Sequence, residues 1–376
     1  MSRSTPVVIL STADFDSTVW TNKQHLATRL AEHREVTYVE SFGLRRPTLT
    51  RADAGRIARR LLQSQETPTE RRQVEHRPEV VSPVVVPFHG SHIIRRLNRQ
   101  LVDRLVVPRL PREYILWSFS PLTYGLEDGA NSFVYHSVDL IHHQPHMPSR
   151  SIVTAERRAV RRADVVIASS TGVRNHLLEI GAPAVRLWEN VADTRLFAAP
   201  QPRRRPRAVF AGHLTPTKID IAALRSVVDA EVDLVVCGPL PEDGTSLPDD
   251  IRALLEHPRT EYLGNLPPER LAEVFSECVV GLIPYLTNPY TSGVFPLKVY
   301  EYLAAGLSIV TTPLGSLDGT DPALLVRSGS VGFGAAAASA IEEFEEAEAM
   351  ERRALAASHS WESRTEQALA VLNDLC

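Results

Sequence analysis

Lys298 and Glu301 lie three residues apart in the run Asn288 to Pro313, NPYTSGVFPLKVYEYLAAGLSIVTTP. The pattern reads as a loop, a helix and a strand. Pro296 suits the first helical turn, where its missing N–H would find no partner anyway. Gly306 supplies a left-handed stop, and SIVTT follows as a buried strand. A lysine in a first turn opposes the helix dipole. The placement makes sense if an anion lies at the helix start, held by the amides of Ser292 to Phe295 and by Lys298. Glu301, one turn deeper, can then accept hydrogen bonds from hydroxyls of the same ligand. Phosphate beside a diol describes a nucleotide. The plain alternative is a surface Lys–Glu pair worth ~0.3–0.5 kcal/mol.

Other stretches carry chemistry of their own. AGHLTPTK (211–218) holds Gly212, His213 and Lys218 after a strand, and the glycine lets backbone approach a ligand. An ordinary strand-to-helix turn would use the same residues. YHSVDL (135–140) ends another strand, where Asp139 could take a proton from an acceptor hydroxyl, or merely cap the next turn. His136, His142, His143 and His146 crowd this region. Pro145 and Pro148 make it a loop without helical ligand spacing, so polar or acceptor contacts are preferred over a metal. Asp14-Phe15-Asp16 follows the first strand with no further ligands evident, and acceptor contact or loop chemistry is again preferred to metal binding. Only three of the 41 basic residues are lysines, and Lys23, Lys218 and Lys298 all fall in these stretches. In an Arg-biased chain a remaining Lys marks a position that Arg does not fit.

The elements that must position these residues alternate twice. VVILST (7–12), VTYVES (36–41), VVVPF (84–88), YILWS (114–118), FVYHSV (133–138) and DVVIAS (164–169) read as strands of a first parallel α/β sheet. Ligands to such a sheet lie outside the carboxyl ends of its strands. Residues 52–78 suggest an Arg-rich helix and a polar stretch. Pro200, Pro202 and Pro206 mark a linker over 198–207. AVFAGH (208–213), DLVVCG, EYLG, VVGLIPY, SIVTT and ALLVR build a second sheet. AAAASAIEEFEEAEAMERRALAA then predicts one long helix, and HSWESRTEQALAVL a final one. The domains expected are 1–197, 208–358 and a terminal helix over 359–376.

The run PLKVYEYLAAG and the strand after it resemble the donor site of nucleotide-sugar glycosyltransferases with the GT-B fold, in the bacterial branch that builds cell-surface polysaccharides and glycosylated metabolites. The resemblance implies two Rossmann-like parallel-sheet domains facing a cleft, with the last helix crossing back onto the first domain. It assigns the nucleotide ribose to Glu301, and the diphosphate to Lys298, Lys218 and the amides of Gly293, Val294 and Phe295. His213 stands where relatives often have Arg. GNLPPE, with Gly264, would carry the nucleobase through backbone contacts. The first domain would hold a hydroxyl acceptor, with Asp139 as base if the reaction inverts, and Asp16, Lys23 and His136 on the acceptor side. The donor would be a UDP-, dTDP- or GDP-sugar, with no cofactor and no metal. Two departures matter: Val138 stands where well-known retaining members have His, and Gly293 where they have Glu. They leave donor-sugar contacts and anomeric outcome open. A nucleotide-sugar 2-epimerase of the same fold, or a non-catalytic sugar-nucleotide-binding partner subunit, are the alternatives.

Composition narrows the setting. Residues 1–190 hold 26 Lys+Arg against 19 Asp+Glu, a balance of +7, and the remainder holds 15 against 26, a balance of −11. The excess lies in 51–112, with 13 Arg against 6 acids. This patch could touch an anionic inner membrane surface or an anionic acceptor, or be a solvated face. Cys237, Cys278 and Cys376 suggest neither a disulfide framework nor a Cys-based zinc site, so a cytoplasmic protein is expected. No stretch approaches a membrane span, and the early first strand leaves no room for a signal peptide. A Walker loop, a dinucleotide fingerprint at Gly329, Gly332 and Gly334, and a Gly-x-Ser-x-Gly elbow are absent. Nucleic acid is not an expected partner.

Overall fold

A computed structural model describes residues 4–17, 20–43, 74–144, 147–198, 203–240, 247–318 and 325–376. The chain forms two compact units, Met1–Glu189 with Thr365–Cys376, and Asn190–Arg364. The Arg-rich helix expected over 52–78 lies almost wholly outside the described residues, as does the centre of the expected linker.

The first unit carries a seven-stranded sheet, β1 (Val7–Leu10), β2 (Val36–Val39), β3 (Glu79–Val81), β4 (Ile115–Ser118), β5 (Ser132–Ser137), β6 (Val165–Ala168) and β7 (Arg186–Leu187). The spatial order is β3-β2-β1-β4-β5-β6-β7, every pair parallel. VVIL, VTYV and ILWS are buried along their whole length. Strands covered on both faces lose the in–out alternation and read as continuous apolar runs. The second unit repeats the plan with β8 (Arg207–Ala211), β9 (Asp233–Cys237), β10 (Thr260–Tyr262), β11 (Val280–Ile283), β12 (Ser308–Thr311) and β13 (Leu325–Arg327). Their order is β10-β9-β8-β11-β12-β13, again parallel. Two doubly wound α/β units are the architecture that the resemblance implies.

Three expectations are corrected. VVVPF (84–88) is not a strand; Glu79–Val81 takes that place in the sheet. Pro83 and Pro87 deny the segment ladder donors. Its Val86 is instead held at both N–H and C=O by the Asn98 side-chain amide, each at 2.8 Å. The single Ala/Glu helix is two, Phe333–Glu342 and Glu346–Ala357. Phe344 breaks it by turning toward the core, with the guanidinium groups of Arg204 and Arg352 at 5.3 and 5.9 Å from its ring. Residues 190–197, expected in the first domain, belong to the second unit. Ala192 and Phe197 are buried in its core, with the Phe197 ring stacked at 5.4 Å on Phe275.

The final helix, Trp361–Asp374, ends in the first unit, where Ala368, Val371 and Leu372 complete a core built around Val7, Ile9 and Trp117. No helix among the described residues is long and apolar enough to cross a membrane.

Candidate active-site elements in the two units

In the second unit the candidate residues sit at the carboxyl ends of β8 to β11. The Gly212 N–H donates to Cys237 O at 2.9 Å, and the Gly238 N–H to Gly264 O at 2.7 Å. Gly238 has φ +133°, and a Cβ there would lie 2.0 Å from the Gly212 carbonyl oxygen. No side chain fits that approach, so the turns after β8, β9 and β10 meet through bare backbone. The expected roles of Gly212 and Gly264 thus rest on main-chain geometry. His213 Nε2 lies 3.2 Å from Leu240 O, and the Lys218 ammonium sits 4.5 Å from the centre of the Tyr285 ring.

The helix Lys298–Ala304 is anchored by Tyr302. Its fully buried ring lies against Gly281 of β11, where a Cβ would come within 2.4 Å, and its hydroxyl accepts from the Ala211 N–H at 3.0 Å. The helix ends as expected: Gly306 has φ +78°, Leu307 N–H donates to Tyr302 O at 2.9 Å and Gly306 N–H to Leu303 O at 2.9 Å. This is a Schellman stop, which only a residue at ease in the left-handed region closes without strain. Pro296 precedes the helix rather than entering it, and its carbonyl accepts from Val299 N–H.

Lys298 is the first residue of this helix, and its ammonium pairs with the Glu301 carboxylate 5.7 Å from the centre of the Phe275 ring. Both side chains are partly buried, 22% and 16% exposed. Part of the expected amide cradle is already engaged. Ser292 N–H donates to Asn288 O, Gly293 N–H to Tyr290 O and Val294 N–H to Thr291 O, at 3.0–3.1 Å. The loop closes on itself as a helical turn because Asn288 Oδ1 caps Tyr290 and Thr291 N–H at 3.0 and 2.9 Å. Asn190 went unnoticed in the sequence; buried, it donates to Phe295 O at 2.6 Å and fixes the loop before the helix.

In the first unit a cavity of about 320 Å³ opens at the carboxyl ends of β1, β2 and β5, lined by Thr12, Ser41, Gly43, Val138, Asp139 and Gln144 among others. Ligands of parallel sheets lie at this edge. Lys23, in the helix Asn22–Ala31, is 8% exposed. Burial pulls its ammonium below its ordinary pKa, and the Asp139 carboxylate opposes that shift. The structure thus brings Lys23 into the field of Asp139.

The other acceptor-side residues are placed differently. Asp16 offers both oxygens to Arg77 at 2.9 and 2.7 Å, and Arg77 lies over the Phe15 ring. His136 is 4% exposed, enclosed by Trp117, Phe119 and Trp188, and accepts from the Trp117 indole N–H at 3.4 Å. His142 and His143 lie in the turn Ile141–His143, their rings tilted by 45° with centres 4.2 Å apart. His146 lies outside the described residues.

A family described as "Glycosyl transferases group 1" matches residues 205–346. A teichuronic acid biosynthesis glycosyltransferase of Bacillus subtilis, TuaH, itself assigned by inference, is 29% identical over 177 residues, covering 44% of each chain. The chain thus matches under half the length of that relative. Among solved structures, HepE of Anabaena in complex with UDP and glucose superposes with TM-score 0.67 at 16% identity, covering 98% of this chain and 100% of that one. Sucrose-phosphate synthase of Thermosynechococcus elongatus gives 0.66 at 16% identity, covering 99% of both. Such low identities speak for the fold, and the family match spans β8 to the start of the helix Glu346–Ala357. Residues 205–346 are thus similar to the group 1 glycosyltransferases, and the chain as a whole has the GT-B fold.

Proposed function

We propose that this glycosyltransferase moves a sugar from a nucleoside-diphosphate sugar to a hydroxyl acceptor, a glycan, lipid-linked glycan or secondary metabolite, with no metal ion on the diphosphate. The observation that carries the reading is the Lys298–Glu301 pair at the mouth of a helix inside the matched domain. Glu301 hydrogen-bonds the ribose. Lys298 and Lys218 neutralise the charge that grows on the departing diphosphate. In the first unit Asp139 faces the acceptor, and it serves as base if the configuration inverts. HepE binds UDP, and TuaH is named for a polysaccharide pathway; both favour a nucleotide-sugar donor and a glycan product.

A thermal-shift screen against UDP, dTDP and GDP tests this. At 100 Kd a nucleotide that binds only the folded state adds about 2.7 kcal/mol, which raises Tm by several degrees. One of the three should do so equally with and without Mg²⁺. The reading fails if none shifts Tm, and a shift that requires Mg²⁺ refutes the metal-free diphosphate.

We infer further that the protein works in the cytoplasm and touches the inner face of the membrane. The helix His92–Leu105 and the turn after it expose Ile93, Leu97, Leu105 and Val107 beside Arg96, Arg104 and Arg109. Apolar side chains flanked by arginines suit an anionic lipid surface. Co-sedimentation with phosphatidylglycerol vesicles, weakened by salt and by Ile93→Asp, is the expected result. Equal recovery on neutral vesicles counts against it.

A further inference from the structure

In the first unit, three side chains from separate elements converge below the turn that follows Asp139. His142 comes from the turn Ile141–His143, Glu156 from the helix Ser149–Arg162 and His176 from the helix Thr171–Glu179. Glu156 is 1% exposed, and the two histidine side chains are 10% and 15% exposed. Both imidazoles address one oxygen: His176 Nε2 lies 3.0 Å from Glu156 Oε2, and His142 Nδ1 lies 3.6 Å from it.

Hydrogen bonding accounts for only part of this. The 3.0 Å contact is an ordinary hydrogen bond, but 3.6 Å is beyond reach. Among the described residues, His142 Nδ1 is a buried nitrogen with no hydrogen-bond partner. Buried polar atoms of this kind call for an explanation. The three ligand atoms all lie within 4.8 Å of one another. A tetrahedral ion with ligands at about 2.0–2.1 Å sets them about 3.3 Å apart, between the two measured separations. Glu156 Oε1 accepts from the Tyr135 hydroxyl at 3.0 Å, the supporting bond that orients a ligating carboxylate.

We propose that His142, Glu156 and His176 bind one divalent ion of the Zn²⁺ type, with the fourth position left to water. Two imidazoles and a carboxylate are a donor set that zinc accepts. The ion joins two helices to the turn Ile141–His143. Ile141 and Gln144 line the cavity that Asp139 faces, so the ion holds one wall of that cavity in place. The proposal requires nothing of the glycosyl-transfer reading, and its test reads metal rather than activity.

Full-length protein stripped with chelator, dialysed and titrated with ZnCl₂ should take up one equivalent and gain Tm as it does so. His142→Ala and His176→Gln, each first checked by circular dichroism in the stripped form, should weaken uptake by more than about 100-fold. His176→Gln keeps a donor for Glu156 and guards against loss of fold. Uptake well below one equivalent by the wild type, or uptake undiminished in both variants, overturns the proposal; the three residues would then form only a hydrogen-bonded cluster.

Discussion

Replacing Asp139 with Asn is expected to lower turnover by about 10²–10⁴-fold, the span of a lost general base, with the donor KM nearly unchanged. Asp139 lines the first unit's cavity just beyond β5, and Lys23, buried in the same unit, carries a charge that responds to it. An asparagine keeps the shape and removes the charge. Turnover then falls because the acceptor hydroxyl keeps its proton, while the donor-binding residues in the second unit are untouched. Steady-state kinetics with the donor varied separates the effects. Unchanged turnover would remove Asp139 from the chemistry, and a rise confined to acceptor KM would reduce it to a binding contact. Product analysis by NMR then decides the base role, which demands inversion at the anomeric carbon.

Lys298→Ala should lower kcat/KM by about 10²–10³, the loss typical of removing one donor to a developing anion. The pairing with Glu301 sharpens the expectation. Without the lysine, the partly buried Glu301 carboxylate confronts the donor diphosphate with no cation between them. The single variant should therefore be worse than the Lys298→Ala/Glu301→Ala double variant, and Glu301→Ala alone should mainly raise donor KM. Residues in contact give such non-additive cycles. Kinetics of the three variants supply the cycle, and strictly additive effects would show that the pair does not act on the donor together.

The sheets were legible in the sequence because buried parallel strands leave unbroken apolar runs, and their carboxyl ends located Asp139 and Gly212. The stop at Gly306 was legible for a similar reason, since one residue type suits one backbone region. What escaped were decisions made by distant partners. Asn98 captures Val86 from 12 residues away, and Phe344 divides a helix to reach a core and two arginines. His136 was read among the histidines that follow it in sequence, whereas its neighbours in space are aromatic rings. Asp16 was read without Arg77, 61 residues on. Glu156 left a usable signal: it shares the phase of Ile152 and Val160 in an otherwise Arg-rich helix, so a buried acid could have been inferred.

Ala368, Val371 and Leu372 fill the first unit's core alongside strands from the opening forty residues. A ribosome makes those two parts in the opposite order from the one their packing needs. Residues 1–189 emerge long before Thr365–Cys376, the segment that closes their apolar interior, so this unit stays incomplete until that segment has been made, whereas Asn190–Arg364 is continuous and can fold as it appears. Deleting the codons after Thr365 should therefore harm the amino-terminal half more than the half that immediately precedes the deletion.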